Sequence, residues 1–427
     1  MSSILTNTSA MVALQTLSMV NKDLTDVQGN ISTGKKVASA KDNSAVWAIS
    51  KVMESDVAGF KGISESLGLG ESTVAVARSA SETVNDLLTQ MKQKIVAAQE
   101  ENVDREKIQT DIDALSDQIG ATVSAAQFNG LNLLSNKEAE AGSGTVNVLA
   151  SLDRSSTGVT VSQIAVGKQD LGTDASDITG TAIAAASNNL TGTADSTATA
   201  LTGAATAPTT TVTVDAVEAG AGFSIAVSAG AGAYATGVNT AAITDIKYVA
   251  RDGDTEGDVV KGLAKAFNKY VAEAMGDDVG TVAATFDATA GTITFTGDTT
   301  TGNNFSVAVS EYAAADTTIG GGLEEVANID VTTDTGVENA LSDIEDLIQT
   351  SIDAAASFGS VQGRIETQSE FISTLVDSLK SGIGTLVDAN MEEASARLQA
   401  LQVQQQLAVQ AMSIANQAPQ TLLSLFR

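Results

Sequence analysis

From Leu398 to Phe426 the chain carries no charged side chain. The stretch is long enough to cross a bilayer, but six Gln fall between Gln399 and Gln410, and each amide would need a partner in hydrocarbon. A membrane span is therefore excluded, and the spacing points elsewhere. Met391, Ala394, Leu398, Leu401, Gln405, Ala408, Met412 and Ala415 alternate in steps of three and four, which is one seam of a coiled coil. Val403, Leu407, Val409 and Ile414 lie off that seam, so a second face is apolar as well. Such a helix is either the core of a globule or one whose burial is completed only when copies assemble.

The start of the chain answers the end. Lys22 is the first charged side chain, and Ala10, Ala13, Leu17, Val20, Leu24, Val27 and Ile31 repeat the same heptad spacing. Two charge-free amphipathic segments at opposite ends of 427 residues are expected to pair. Each is marginal alone in water, so the reading has both disordered in a free monomer and helical in a polymer.

Charge and composition remove whole classes of function. Lys and Arg number 23 against 52 Asp and Glu, a formal net charge of −29. Such a surface repels phosphate backbones, so nucleic acid is not an expected partner. The absence of Cys and His removes disulfides, Cys/His zinc sites and a histidine general base. The N-terminus shows no basic, apolar and cleavage regions in series, so export by the general secretory route is not expected.

Along the chain, Gly29–Lys36 is a break, and Ser39–Ser44 offers helix N-caps. A 3/4 seam then runs through Val46, Ile49, Met53, Phe60, Ile63, Leu67, Val74, Ala77, Val84, Leu88, Met91, Ile95 and Ala98, with Asp56, Gly70 and Ser81 as poor members. Its length reads as a rod-like coiled coil. Trp47, beside its start, is assigned to packing. After a break at Glu100–Asp104, Ile108, Ile112, Leu115, Ile119 and Val123 mark a further helix, closed by the turn pair Asn129-Gly130. Thr145–Leu149 and Gly158–Val161 read as a hairpin.

From Leu171 to Asp334 the composition shifts to Ala, Thr, Gly and Ser, with 5 basic and 21 acidic residues. Strands are expected at Thr210–Val214, Phe223–Val227, Thr281–Phe286, Thr292–Phe295 and Phe305–Val309, with one helix at Val259–Met275. Part of Ala184–Pro208 is expected to be disordered, for it offers little to bury. Heptads return from Val337 to Leu386 through Leu341, Ile344, Ile348, Ile352, Ile365, Ile372, Leu375 and Leu379. The fold class is thus mainly α at both ends, with long antiparallel coiled-coil helices from the N- and C-terminal segments. A β-rich α+β domain is inserted between them. Three domains follow: 1–43 with 387–427, 44–170 with 335–386, and 171–334.

Candidate chemical sites fall away. Asp252-Gly-Asp254-Thr-Glu256-Gly-Asp258 resembles the start of a calcium loop, but the twelfth position, where the bidentate Glu belongs, is Leu263. Acidic residues before the 259–275 helix suit its macrodipole instead. Glu324/Glu325 and Glu392/Glu393 are sequence neighbours that point in different directions. Gly220–Gly232 lacks the Lys of a phosphate loop. No catalytic, cofactor or metal residue is assigned, and the chain is not expected to be an enzyme.

Certain short runs are more specific. Ala13-Leu-Gln-Thr-Leu17, Ser32-Thr-Gly34, Ser39-Ala-Lys-Asp42, Ala48-Ile-Ser50 and Gln127-Phe-Asn-Gly130 resemble the N-terminal region of bacterial flagellins. Ala394–Gln405, Ala415-Asn-Gln417, Pro419-Gln420 and Leu422–Arg427 resemble their C-terminus. The likeness covers Met1–Leu134 and Val337–Arg427, and is greatest to flagellins of the alphaproteobacterial kind. It implies a subunit exported unfolded by the flagellar type III apparatus, which self-assembles into the extracellular filament used for swimming. It implies an export chaperone, cap and junction proteins as partners, an inner layer of terminal helices and a variable domain facing the medium. On this reading the self-assembly seams are Leu17, Val20, Leu24, Val27, Ile31, Leu398, Leu401, Leu407, Met412 and Ile414. A hook–filament junction protein of the same export family is the alternative, with a type III-secreted adhesin or translocator after it; the latter needs an apolar or aromatic head, and the central segment is poor in aromatics.

The resemblance also bears on an immune partner. Many flagellins are bound by Toll-like receptor 5 through a stretch reading roughly Gln-Arg-Val-Arg-Glu-Leu. The matching run here is Thr89-Gln-Met-Lys-Gln-Lys94, so Gln90 replaces the first Arg, Lys92 the second, Gln93 the Glu and Lys94 the Leu. Recognition is expected to be weak.

Overall fold

A computed structural model describes residues 7–155, 158–234, 245–275 and 280–425. The chain divides into two compact units, one of Met1–Glu65, Ser151–Val161 and Gln368–Arg427, the other of Ser66–Ala150 and Ser162–Thr367.

In the first unit, α1 (Thr8–Thr33) starts on Asn7, whose side chain accepts the Ala10 N–H at 3.0 Å, and stops at Gly34, which takes the left-handed conformation (φ 67°) that glycine adopts without strain. α6 (Met391–Leu425) starts on Asn390, whose Oδ1 accepts the N–H groups of Glu392 and Glu393. The two run antiparallel: Asn7 Nδ2 donates to the Ala415 carbonyl at 2.8 Å, and Gln405 Nε2 donates to Asn21 Oδ1 at 2.7 Å. Val20, Val27 and Leu401 form a buried cluster, with Leu24, Ile31 and Leu398 packed against it. At its far end, the N–H groups of Lys36 and Val37 donate to the Val387 carbonyl, and Ala389 N–H donates to that of Gly34. Thr8–Thr33 and Met391–Leu425 are therefore helical within a single chain, contrary to the expectation of disorder, each seam supplying the cover the other lacks; the part of that expectation that falls on residues 1–6 and 426–427 lies outside the described residues.

Two 54-residue helices, α2 (Ser44–Ala97) and α5 (Asp334–Val387), contribute to both units. Within the second unit the α2 seam is followed closely: Leu67, Gly70, Val74, Ala77, Ser81, Val84, Leu88, Met91 and Ile95 are all buried. Its poor members have reasons. A Cβ on Gly70 would lie 2.6 Å from Val148 Cγ1, so only glycine lets the following hairpin approach. Ser81 is buried against Ser351 of α5, whose Oγ donates to the Ser81 carbonyl at 3.0 Å. The buried α5 line is Val337, Ala340, Ile344, Leu347, Ser351, Ala354, Phe358 and Ile365. Ile352, expected on it, is exposed. The small Ser351 and Ala354 hold the true seam there, and the more apolar Ile352 lies one step round the helix.

α3 (Arg105–Ala125) is capped by Asp104 and buries Ile112, Ile119 and Val123. Asn129 (φ 52°) and Gly130 (φ 81°) then turn the chain between two short antiparallel strands, β1 (Gln127–Phe128) and β2 (Leu131–Asn132). The following hairpin, β3 (Thr145–Ser155) and β4 (Gly158–Gly167), is longer than its sequence suggests.

The inserted region holds β5 (Asp177–Ile178), β6 (Leu190–Gly192), β7 (Thr199–Thr202), β8 (Thr209–Val214), β9 (Gly222–Ala231), β10 (Lys247–Val249), α4 (Glu256–Met275), β11 (Ala283–Asp287), β12 (Thr292–Thr296), β13 (Asn304–Tyr312) and β14 (Thr317–Thr318). Two antiparallel four-stranded sheets, β10-β9-β13-β7 and β11-β12-β8-β6, share one core with α4. Phe223, Phe267, Phe295 and Phe305 are fully buried in it. Ala184–Pro208 is ordered, contrary to expectation. It supplies β6 and β7, and Leu190, Ala194 and Leu201 anchor it in that core.

The two chain crossings into this region lie against each other. Leu323 N–H donates to the Gly172 carbonyl at 2.9 Å, and a Cβ on Gly321 would fall 1.9 Å from that same oxygen. Arg251 reaches both strands of the crossing, donating to the Gly320 carbonyl at 3.1 Å and lying 3.6 Å from Asp170.

A candidate self-assembly surface

The residues nominated from sequence separate into two sets. Val20, Val27 and Leu401 are buried, and Leu17, Leu24, Ile31, Leu398 and Met412 are half-buried, all on the covered sides of α1 and α6. Leu407 and Ile414 are not part of that contact: they are 58% and 68% exposed. With Val403 they share a stripe of α6 at offsets of four and seven residues, which keeps them on one face. Val12 of α1, 63% exposed, lines the same groove as Ile414, together with Ala13, Thr16, Ala408 and Ala411. Met11, Leu14 and Met19 expose further apolar area. These α1 side chains were missed by seam counting; the signal for them was the charge-free stretch itself, which leaves no face polar enough to require water.

One polar group on this surface is already paired within its helix. Thr16 Oγ1 donates to the Val12 carbonyl at 2.9 Å, so its hydroxyl is satisfied within its own helix. No ionisable side chain occurs before Lys22, so covering that part of α1 desolvates no charge. Each exposed Leu, Ile, Val or Met is worth roughly 1.5–3 kcal/mol when fully covered. The arrangement leaves apolar area of both α1 and α6 uncovered.

The receptor-type stretch lies on α2. Gln90 and Gln93 are exposed. Lys92 pairs with Glu345 of α5, and Lys94 pairs with Asp111 of α3 at 2.5 Å, so both cations already have carboxylate partners.

The carboxylates of the acidic loop read from sequence already accept hydrogen bonds from within the chain. Asp252 accepts N–H groups of Gly142 (3.0 Å) and Gly144 (2.6 Å), Asp254 accepts Arg251 N–H and the Tyr248 hydroxyl (both 2.8 Å), and Asp258 accepts the Thr255 N–H (2.9 Å). Burial, with Asp254 beside it, pushes the Tyr248 phenol well above its ordinary range. Leu263 is buried in the core. Glu324 accepts Ser176 N–H at 2.6 Å, and Glu325 pairs with Lys269. Among the described residues, no helix is long and apolar enough to cross a membrane.

Comparison with known proteins follows the same division of the chain. The model of the bacterial flagellin N-terminal helical region matches residues 4–139, and that of the bacterial flagellin C-terminal helical region matches residues 341–426. Flagellin A of Rhizobium meliloti is 35% identical over 431 residues, covering all of both chains. Flagellin A of Rhizobium meliloti strain 1021 is 36% identical over 440 residues with the same coverage. A partial structural likeness, TM-score 0.35 at 12% identity, relates 79% of the chain to 98% of flagellar hook associated protein-3 from Legionella pneumophila.

Proposed function

The chain belongs to the bacterial flagellin family, and on that premise we propose that the exposed apolar faces of α1 and α6 are where one subunit packs on the next. The protein is a structural subunit of the extracellular flagellar filament, of the alphaproteobacterial kind. No catalytic role is assigned to it. The observation that carries the assembly reading is the paired α1/α6 helices, which cover one seam and leave Val12, Leu407 and Ile414 more than half exposed. A single subunit cannot cover those faces; a helical array of copies can, because each contact is heterologous and leaves the next one open.

Leu17, Val20, Leu24, Val27, Ile31, Leu398, Leu401 and Met412 then act by holding the pair together, and Leu407 and Ile414 by meeting a neighbour. The layered division belongs to the same proposal: 1–43 with 387–427 innermost, 44–170 with 335–386 next, and 171–334 outermost. So do export through the flagellar type III channel with a chaperone, and contact with cap and junction proteins at the filament's ends. Weak recognition by Toll-like receptor 5 is supported by Gln90 and Gln93 in place of a cation and a carboxylate, and by the pairing of Lys92 and Lys94 within the chain.

The test is seeded growth of purified protein, followed by sedimentation and electron microscopy. A filament subunit elongates without limit from short seeds. Protein that only caps the seeds, as a junction protein does, would overturn the reading.

A further inference from the structure

A chain without cysteine carries all its sulfur in methionine, and the described methionines are unevenly placed. Met91 is fully buried, and Met53, Met275 and Met412 are half-buried. Met11 and Met19 are 63% and 55% exposed, and both belong to the charge-free part of α1. Gln15 lies between them at steps of four residues, so one ridge of the helix carries both over two turns. With Val12 and Leu14 they line one shallow groove. Met391, 44% exposed, is placed differently: it opens α6 beside Glu392 and Glu393, where the surface is already charged.

The setting of Met11 and Met19 makes opposing demands on their sulfurs. A thioether is apolar and adaptable, which suits a side chain that packs against another surface. The same exposure leaves Sδ open to oxidants, and the sulfoxide that forms is polar. On a ridge that stays in water the change costs little. On a ridge that another copy covers, each sulfoxide oxygen has to shed its water. Neither side chain belongs to the buried cluster of Val20, Val27 and Leu401 that joins α1 to α6, so oxidation leaves the helix pair itself intact.

We propose that Met11 and Met19 form a peroxide-sensitive modification site whose oxidation stops the free subunit from assembling; this rests on the reading of α1 and α6 as the subunit contact. The oxidant is a hydroperoxide, hydrogen peroxide being the simplest. A lone pair on Sδ attacks one peroxide oxygen, the O–O bond breaks as the S–O bond forms, and the departing hydroxide takes a proton to become water. Sulfur gives up two electrons and the peroxide gains them. Reduction of the sulfoxide by a thiol-driven methionine sulfoxide reductase restores the apolar side chain. Within a filament the covered sulfurs are protected.

The experiment treats full-length monomer with dilute hydrogen peroxide, removes the excess with catalase, maps the sulfoxides by mass spectrometry and measures elongation from untreated seeds. Met11 and Met19 are expected to oxidise well ahead of Met91, and helix content to stay unchanged. Two polar groups to be desolvated at each contact should slow elongation at least about tenfold. Sulfoxide reductases acting on both epimers should restore growth. Met11→Leu/Met19→Leu should elongate like the parent and keep doing so after peroxide, although Met391 still oxidises. Met11→Gln/Met19→Gln should elongate slowly without any oxidant. Peroxide treatment of finished filaments should spare both positions. Full growth of oxidised parent, equal inhibition of the Leu variant, or equal oxidation of Met11 and Met19 in monomer and filament would overturn the proposal while untreated protein still elongates. Failure of the untreated protein to elongate would instead overturn the assembly reading, and this inference with it.

Discussion

Placing one carboxylate on either side of α6 separates holding the terminal pair together from joining subunits. Leu401 is 6% exposed and sits in the cluster with Val20 and Val27. Leu401→Asp removes roughly 2 kcal/mol of apolar burial and introduces a charge with no cation in that cluster. Leaving it buried would cost several kcal/mol more. The penalty cannot exceed the free energy of pairing itself, because the helices will part before they bury the charge. That pairing rests on three buried and three partly buried side chains, on the order of 5–10 kcal/mol before the ordering entropy is subtracted. The expected result is loss of α1/α6 pairing in the monomer: faster proteolysis of both ends, less helix by circular dichroism and no filaments. Leu401→Asn, similar in size and uncharged, should be milder by the part of the penalty that comes from charge. Leu407→Asp places its carboxylate on the exposed stripe instead. It should leave the monomer's helix content and protease pattern unchanged and still abolish seeded growth. Normal filaments from Leu407→Asp would refute the assignment of that stripe to the subunit contact. An unaltered protease pattern in Leu401→Asp would refute the pairing.

Because Gly172 and Gly321–Leu323 touch, and Gln109 holds the returning chain through the Ile329 carbonyl and Val331 N–H, replacing residues 172–322 by a short glycine linker should leave a folded helical protein that still elongates from seeds; a folded deletion that cannot enter filaments would make the inserted region part of the assembly surface. Asp298 is buried, which opposes its charge, but donors from Asn303, Thr300 and Tyr234 outweigh that and hold its carboxyl below the ordinary 3.8. A depressed value means stability that is present above 3.8 and lost as pH falls through the folded value. Asp298→Asn should therefore destabilise the inserted region by about 1–3 kcal/mol at neutral pH, with the gap to the parent narrowing as pH falls below 3.8 in calorimetry; a gap independent of pH would deny the carboxylate this role. Depolymerised protein should activate a Toll-like receptor 5 reporter weakly, with a half-maximal concentration at least about tenfold above that of a flagellin carrying the full motif, given roughly 1–3 kcal/mol per lost contact; equal potency would sink the comparison at Gln90, Gln93 and Lys94.

What could be read in advance depended on whether a residue's role was set by its own chemistry or by what came to face it. The seams of α1, α2 and α6 were legible because a helix repeats its contacts every three or four residues, so one line of side chains samples a single environment. Gly70 and Ser81 looked like faults in that line because their reasons lie elsewhere in the chain, in Val148 and Ser351. Ile352 was misplaced for the converse reason: its apolar character drew it to a seam that Ser351 and Ala354 occupy by being small. The order of Ala184–Pro208 was hidden because three anchors, Leu190, Ala194 and Leu201, suffice when two sheets and a helix already provide the core. The assembly surface shows the same rule at the next level. Spacing set Leu407 and Ile414 off the line of Leu398 and Leu401, but it does not say which of the two apolar lines is covered. Only the partner helix does so, by covering one line and leaving the other open. A face left open by the described residues, and free of charge, has no folding role left to fill, and on the proposed assembly the exposed stripe rather than the buried seam is what meets a neighbouring subunit.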